Sequence, residues 1–150
     1  MKKVATKAPY IEPQVREVGG HREVLDPVRR RWVTLTPEEE VRQQTIAMLH
    51  STYGYPLELM QVEGAITLNG MTRRCDIVTY DTTGQPHIIV ECKRRDVPIT
   101  QKVCDQACRY NTVLQVPILI LTNGIQQVVI AVDREHATLR QLAEIPTYHK

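Results

Sequence analysis

The most restrictive feature of the sequence is a nearly all-apolar run at residues 116–121, Val-Pro-Ile-Leu-Ile-Leu. A membrane-spanning helix needs about 20 apolar residues, so this run is far too short to be one. Strands that are covered on both faces have continuous apolar sequences of this kind. We therefore predict a central strand here, in a sheet that is flanked by helices.

Three strand-like stretches precede this run, at residues 60–68, 73–80 and 87–92. An Asn-Gly pair, which strongly favours a hairpin turn, follows the first stretch, and an Asp-Thr-Thr-Gly turn follows the second. Short turns of this kind join antiparallel neighbours. We expect the three stretches to form an antiparallel meander.

Two helices are predicted, one before the meander and one after it. The first begins with Thr36 as N-cap, Pro37 at the first helical position and Glu39 three residues after the cap, and it ends before Gly54. The second covers residues 100–114, where apolar side chains recur at helical spacing.

The N-terminal region is less regular. Residues 1–20 mix charges and prolines without a hydrophobic period, so we expect a loosely held arm that extends to about residue 22. A hairpin with strands at residues 23–25 and 32–35 should follow it, joined by an Asp-Pro turn.

After the central strand we predict another strand at residues 125–132 and a short helix at residues 136–142. The chain of 150 residues is long enough to bury a core without disulfides or structural metals. The expected fold is a single α/β domain over residues 23–150, with a mixed sheet of four or five strands flanked by helices.

The sequence also indicates in which cellular compartment the protein is expected. Lys2 and Lys3 lead into no apolar signal-peptide core, and no apolar run approaches a membrane span, so we expect a cytoplasmic protein with no membrane contact. The four cysteines then read as reduced, buried thiols. No C-x-x-C loop is present, which argues against zinc or an iron–sulfur cluster.

The candidate chemistry lies at the ends of the meander strands. Side chains alternate along a strand, so Glu91 and Lys93 share one face, and the neighbouring strand can bring Asp76 next to Glu91. Two adjacent carboxylates are unfavourable unless a cation lies between them, and oxygen ligands suit Mg²⁺ or Mn²⁺. Lys93 could then help to activate water for metal-assisted phosphodiester hydrolysis. The alternative is ordinary cross-strand ion pairing.

An Asp on the second strand, Glu-x-Lys on the third and a helix afterwards resemble the PD-(D/E)xK nuclease superfamily. The helix contains Gln106 and Tyr110 one turn apart, similar to the Q-x-x-x-Y motif of the RecB-like and restriction-subunit branches. Cys75 stands where the superfamily name has Pro, which departs little from such branches.

The sequence more closely resembles the N-terminal nuclease domain of the type I restriction enzyme R subunit, in its small bacterial stand-alone form. The resemblance covers about residue 23 to the end. The motifs that carry it are, in chain order, Asp26-Pro27-Val28-Arg29, Leu35-Thr36-Pro37-Glu38-Glu39, Val41-Arg42-Gln43, Tyr55-Pro56, Leu68-Asn69-Gly70, Asp76-Ile77-Val78, Val90-Glu91-Cys92-Lys93, Val97-Pro98-Ile99-Thr100-Gln101, Asp105-Gln106, Tyr110-Asn111 and Thr122-Asn123-Gly124.

The resemblance implies a restriction-endonuclease-like fold and a Mg²⁺-dependent DNA endonuclease, with Mn²⁺ as a second usable metal. Asp76 and Glu91 would be metal ligands. An acidic residue of the first helix would join them, with Glu38 as first choice and Glu39 as second. The backbone carbonyl of Cys92 is a further candidate ligand, because a strand presents carbonyls beside its side chains.

In the same reading Lys93 activates water, while Gln106 and Tyr110 support the site or the nucleic-acid backbone. Basic pairs adjoin these positions and would bind phosphates. The predicted phosphate-binding residues are Arg73, Arg74, Arg94 and Arg95.

No G-x-x-x-x-G-K-S/T motif occurs, so the ATP-driven motor of full R subunits is not part of this sequence. The alternative to an enzyme is therefore a DNA-binding or adaptor module of a restriction, defence or repair system, which acts only when a motor or recognition protein delivers DNA. The sequence leaves open DNA versus RNA and monomer versus homodimer.

Overall fold

The structure is a computed structural model that describes residues 5–149. Within this range the chain forms two sheets, two α-helices and a short 3₁₀ helix at Leu57–Leu59. The helices are α1 (Pro37–Ser51) and α2 (Gln101–Leu114). The strands are β1 (Thr6–Lys7), β2 (Val15–Val18), β3 (His21–Asp26), β4 (Arg31–Thr34), β5 (Met60–Leu68), β6 (Met71–Tyr80), β7 (Pro86–Cys92), β8 (Ile118–Thr122), β9 (Gln126–Asp133) and β10 (Thr138–Leu142).

The larger sheet is mixed and has the order β1-β9-β8-β7-β6-β5, with β10 also paired to β9. The predicted meander of β5, β6 and β7 is confirmed as antiparallel. β8 runs parallel to β7, because α2 carries the chain back across the sheet between them. In the described residues this sheet has seven strands, not the four or five expected, since β1 and β10 both add to β9.

The apolar run found first in the sequence lies at the centre of this sheet. All five residues of β8 are buried, with Ile120 packed in the layer that contains α1. Its neighbours Leu119 and Leu121 pack in the opposite layer, with α2. The prediction of a strand covered on both faces is confirmed, and the all-apolar sequence follows because each face meets a helix.

Helix α1 begins as predicted. The side chain of Thr36 accepts a hydrogen bond from the Glu39 backbone N–H at 3.0 Å. The second half of the predicted capping box is not formed, because the Thr36 N–H donates to the Thr34 carbonyl. The Glu39 carboxylate is therefore available for other partners.

The predicted helix at residues 136–142 is wrong: Thr138–Leu142 is a strand, β10, antiparallel to β9. Asp133 accepts a hydrogen bond from the His136 N–H at 3.1 Å, and Ala137 takes a left-handed φ of 51°, so the chain turns back on itself. Pairing with the open edge of β9 outweighs a weak helical preference.

The predicted loose arm needs a similar correction for its described part. Thr6–Lys7 pairs with β9, and Val15–Val18 pairs with β3 in a three-stranded sheet completed by β4. Edge pairing uses backbone groups and needs no hydrophobic period, so the sequence gives little sign of it. Residues 1–4 of the arm lie outside the described residues. The hairpin of β3 and β4 is confirmed.

The four cysteines are free thiols, as expected. Cys75, Cys104 and Cys108 belong to the layer of α2, whereas Cys92 packs in the layer of α1. Burial raises the pKa of Cys75 to about 11. Neither α-helix of the described chain is long and apolar enough to cross a membrane.

Candidate active site

The backbones of Asp76 and Glu91 lie opposite each other at the point where β6 and β7 begin to separate. Ile77 pairs with Val90, so Asp76 and Glu91 are the next opposed residues along the two strands. Here a side chain replaces a backbone carbonyl as the hydrogen-bond acceptor: Asp76 Oδ2 accepts from the Cys92 N–H at 2.8 Å. The predicted adjacency therefore holds for the two backbones, whereas the Asp76 carboxylate contacts Arg42 of α1 and the Glu91 carboxylate contacts Arg73, which lies on Tyr110 of α2.

A local reversal in β5 adds a third acid beside Asp76. Met60 and Ile66 are an even number of residues apart, yet they pack in opposite layers. Between them Glu63 takes a left-handed φ of 54° and lies opposite Asp76 in register. The same reversal occurs on β6, where Cys75 packs with α2 and Ile77 with α1. Glu63 is thereby brought toward α1.

Arg42 of α1 joins these acids. Its Nη2 donates to Asp76 Oδ1 at 3.0 Å, and its Nη1 donates to Glu39 at 2.7 Å and to Glu63 at 3.0 Å. Only 10% of the side chain is exposed. Burial by itself lowers the pKa of Arg42, but hydrogen bonding to Asp76 and the attraction of all three acids hold the pKa above its usual value.

Arg29, in the turn between β3 and β4, extends this network. It donates to Glu39 at 2.8 Å and to Glu63 at 3.2 Å, and it also pairs with Asp26. Asp26 is fully buried and accepts hydrogen bonds from the backbone N–H groups of Val28 and Arg29. The bonds to Asp26 hold the turn of the small sheet in shape, and the bond from Arg29 to Glu39 connects that turn to α1.

The opposite, α2-facing side of the site contains Glu91, Lys93, Gln106 and Tyr110. These four side chains and Arg73 line one cavity of about 80 Å³. The Lys93 N–H donates to the Thr122 carbonyl at 2.8 Å, so strand-like pairing continues past the end of β7 and holds Lys93 beside Glu91. The structure therefore brings the Glu-x-Lys tripeptide and the Q-x-x-x-Y pair together.

Arg73 is not a free surface residue. Its guanidinium pairs with the Glu91 carboxylate and lies 4.1 Å from the centre of the Tyr110 ring. The other predicted phosphate-binding residues are more exposed. Arg74 contacts Glu63, Arg94 contacts Asp96, and Arg95 lies near Glu40.

The first helix contributes Glu39 to the network, not the first-choice residue Glu38. Glu38 is exposed, whereas Glu39 is buried and bonded to Arg29, Arg42 and Gln43. In residues 5–149 no group of three or more His, Cys, Asp or Glu side chains is arranged to hold a metal ion. Instead, Asp76 and Glu91 each accept from an arginine.

Sequence reasoning did not assign roles to Arg29, Arg42 or Glu63. Both arginines lie in the matched motifs, and the spacing of Glu39 and Arg42 already indicates an ion pair on one helix face. Glu63 had no comparable indication, because regular strand alternation does not anticipate the reversal at its backbone.

Asp76 and Glu91 are of the residue type that Mg²⁺ prefers as ligands. Mg²⁺ is usually bound by one or two carboxylates, with waters and substrate phosphates as its remaining ligands. Asp76 and Glu91 supply such a pair, provided that Arg42 and Arg73 release the oxygens that they contact here. Lys93 adds an amine that lines the same cavity as Glu91.

Comparison with known proteins agrees with the resemblance seen in the sequence. A model of the type I restriction enzyme R protein N terminus matches residues 37–146. A solved fragment described as the HsdR subunit of a type I restriction enzyme from Vibrio vulnificus YJ016 aligns with a TM-score of 0.50 and 20% identity. The alignment covers 75% of this chain and 24% of that one, so the likeness is one of fold over about a quarter of the longer chain. No curated protein matches the sequence.

The family match includes α1, the whole meander, α2 and the central strand, and therefore every candidate site residue. This chain belongs to the family defined by the N terminus of the type I restriction enzyme R protein.

Proposed function

We propose that this chain is a metal-dependent DNA endonuclease domain with a PD-(D/E)xK active site. The carrying observation is the convergence of Glu91, Lys93, Gln106 and Tyr110 on one cavity, at the end of β7 where the backbone of Glu91 lies opposite that of Asp76. Membership of the R-protein N-terminal family supports the same reading, since this family is nuclease-related.

Asp76, Glu91 and the backbone carbonyl of Cys92 would hold the metal. Bound Mg²⁺ would neutralise charge on a phosphoryl oxygen and lower the pKa of a water molecule. Glu39 replaces Glu38 as the acid of the first helix in this proposal. Its role is to hold Arg42, and through Arg42 to orient the Asp76 carboxylate.

Lys93 would orient the attacking water by donating a hydrogen bond to its oxygen. Its place beside Glu91 keeps an ammonium group next to the scissile phosphate, where it also offsets developing negative charge. Gln106 offers an amide at the rim of the cavity for a phosphate oxygen. Tyr110 positions Arg73 through ring contact.

DNA binding would rest on the exposed arginines that adjoin the candidate site residues in the sequence. Arg74, Arg94 and Arg95 are accessible, and replacement of Arg94 and Arg95 should weaken binding to unrelated sequences equally and reduce its salt dependence. A motor or recognition protein that delivers DNA is the proposed partner.

One observation favours the second candidate, an adaptor that does not cleave by itself. Both candidate carboxylate ligands, Asp76 and Glu91, are paired with arginines of the same chain. In an adaptor these ion pairs would be permanent and would serve only to hold the strands together.

Incubation of supercoiled plasmid with the purified protein decides between the two. The endonuclease proposal predicts nicking with Mg²⁺ or Mn²⁺, none with a chelator, and none by Lys93→Ala. Lys102→Ala, which removes an exposed lysine of α2 outside the cavity, is the matched control and should nick like the wild type. DNA binding without cleavage under every metal condition would favour the adaptor.

A further inference from the structure

Arg73 occupies an unusual position between the inside of the candidate site and its mouth. It contacts Glu91 on the inside, and it lies on Tyr110, a residue that is 42% exposed. Arg42, by comparison, is held by three acids and is more deeply buried. Among residues 5–149 Arg73 has one carboxylate partner, Glu91, so it is the more easily released of the two.

The charges of the site leave little attraction for a divalent cation. Five carboxylates contact the arginines of the site, as far as residues 5–149 show: Asp26, Glu39, Glu63, Asp76 and Glu91. The basic groups that contact them or line the same cavity are Arg29, Arg42, Arg73, Arg74 and Lys93. The two sets balance. A metal ion would gain net attraction only when a basic group leaves.

A DNA phosphate is a suitable new partner for the group that leaves. Guanidinium binds phosphate with paired hydrogen bonds and remains stacked on an aromatic ring while doing so. Because Tyr110 is exposed, a phosphate at the mouth of the cavity can reach Arg73 without disturbance of the sheet.

We propose that Arg73 is a substrate-responsive counter-ion. In the absence of DNA it pairs with the Glu91 carboxylate, and when DNA binds it pairs with a DNA phosphate instead. The Glu91 carboxylate is then free to bind the metal. This inference rests on the proposed metal-dependent function. It assigns Arg73 a positioning role and makes metal binding depend on DNA.

Titration of the DNA-free protein with Mn²⁺ tests the first half. Arg73→Gln should bind Mn²⁺ about tenfold more tightly than the wild type, because a nearby positive charge and a competitor for Glu91 are both lost. Arg73→Lys keeps the charge and should remain close to the wild type. The matched control is Arg16→Gln, since Arg16 also pairs with a glutamate and lies 4.1 Å from an aromatic ring, in the small sheet.

DNA binding in a chelator tests the second half without any metal. Glu91→Gln should tighten binding, because Glu91 no longer competes with phosphate for Arg73. In the Arg73→Gln background the same substitution should give little further gain. An equal gain in both backgrounds would reflect general repulsion and would overturn the transfer.

The failures are distinguishable. If the wild type binds Mn²⁺ as tightly as Arg73→Gln, the counter-ion role is wrong while the proposed metal-dependent function stands. If neither the wild type nor any variant binds Mn²⁺, with or without DNA, both proposals are wrong.

Discussion

At the scale of single residues, Arg42 explains how the carboxylates of Glu39, Glu63 and Asp76 lie close together. It donates to all three, so their mutual repulsion is offset inside the protein. A buried ion pair is costly to break from one side, because the remaining charges keep their desolvation penalty.

We therefore expect Arg42→Met to reduce the free energy of unfolding by about 3–5 kcal/mol. Arg16→Gln, at a more exposed pair, should reduce it far less, because solvent screens that pair. Urea unfolding of both variants measures the difference. Similar small losses for the two would show that the network around Arg42 adds little to stability.

Asp26 makes a second prediction at this scale. Burial raises its pKa, but hydrogen bonds from the Arg29 and Val28 N–H groups and from the Arg29 side chain outweigh burial and hold the pKa below 3.8. A carboxyl with a lowered folded-state pKa stabilises the protein above its unfolded-state pKa, and this contribution disappears as the pH falls through the lower folded-state value.

The stability lost in Asp26→Asn should thus be largest near neutral pH and shrink below about pH 4. Urea unfolding from pH 3 to pH 7 checks this, with Asp96→Asn at an exposed carboxylate as the control. A loss that is independent of pH would mean that the shape of the Asp26 turn matters and its charge does not.

At the scale of elements, local sequence determines most of what could be predicted. The bounds of β5, the start of α1 and the Asn-Gly hairpin agree with the sequence, because caps and turns act within a few residues. β1, β2 and β10 depend on strands supplied from elsewhere, so their sequences carry too little information. At the site, the placement of Glu91 and Lys93 follows from alternation, whereas Glu63 depends on a backbone reversal that alternation does not predict.

The N-cap of α1 gives a prediction for an element. Thr36→Ala removes the acceptor for the Glu39 N–H and should cost about 1 kcal/mol in the free energy of unfolding. Thr36→Ser keeps the hydroxyl, so it should reduce the free energy of unfolding by about 0.3 kcal/mol at most. Equal losses in thermal or urea unfolding would mean that the hydroxyl is not the stabilising group.

At the scale of the whole molecule, the candidate site occurs once per chain. Breaking both DNA strands requires two sites or two successive events. The isolated protein should therefore produce nicked plasmid first and linear plasmid late, in a time course run beside light scattering. If a monomer produced linear and nicked plasmid at the same time, the prediction of a single site would be wrong. If a dimer did so, the second site would be that of the second chain.

The central claim is that Asp76 and Glu91 share a metal ion in the DNA-bound protein. The most direct measurement is anomalous diffraction from crystals of Lys93→Ala grown with a DNA duplex and Mn²⁺. We predict a manganese peak in contact with both carboxylates, with Arg73 on a DNA phosphate. The claim would be contradicted by a DNA complex in which Asp76 still pairs with Arg42, Glu91 still pairs with Arg73, and no manganese lies between the two carboxylates.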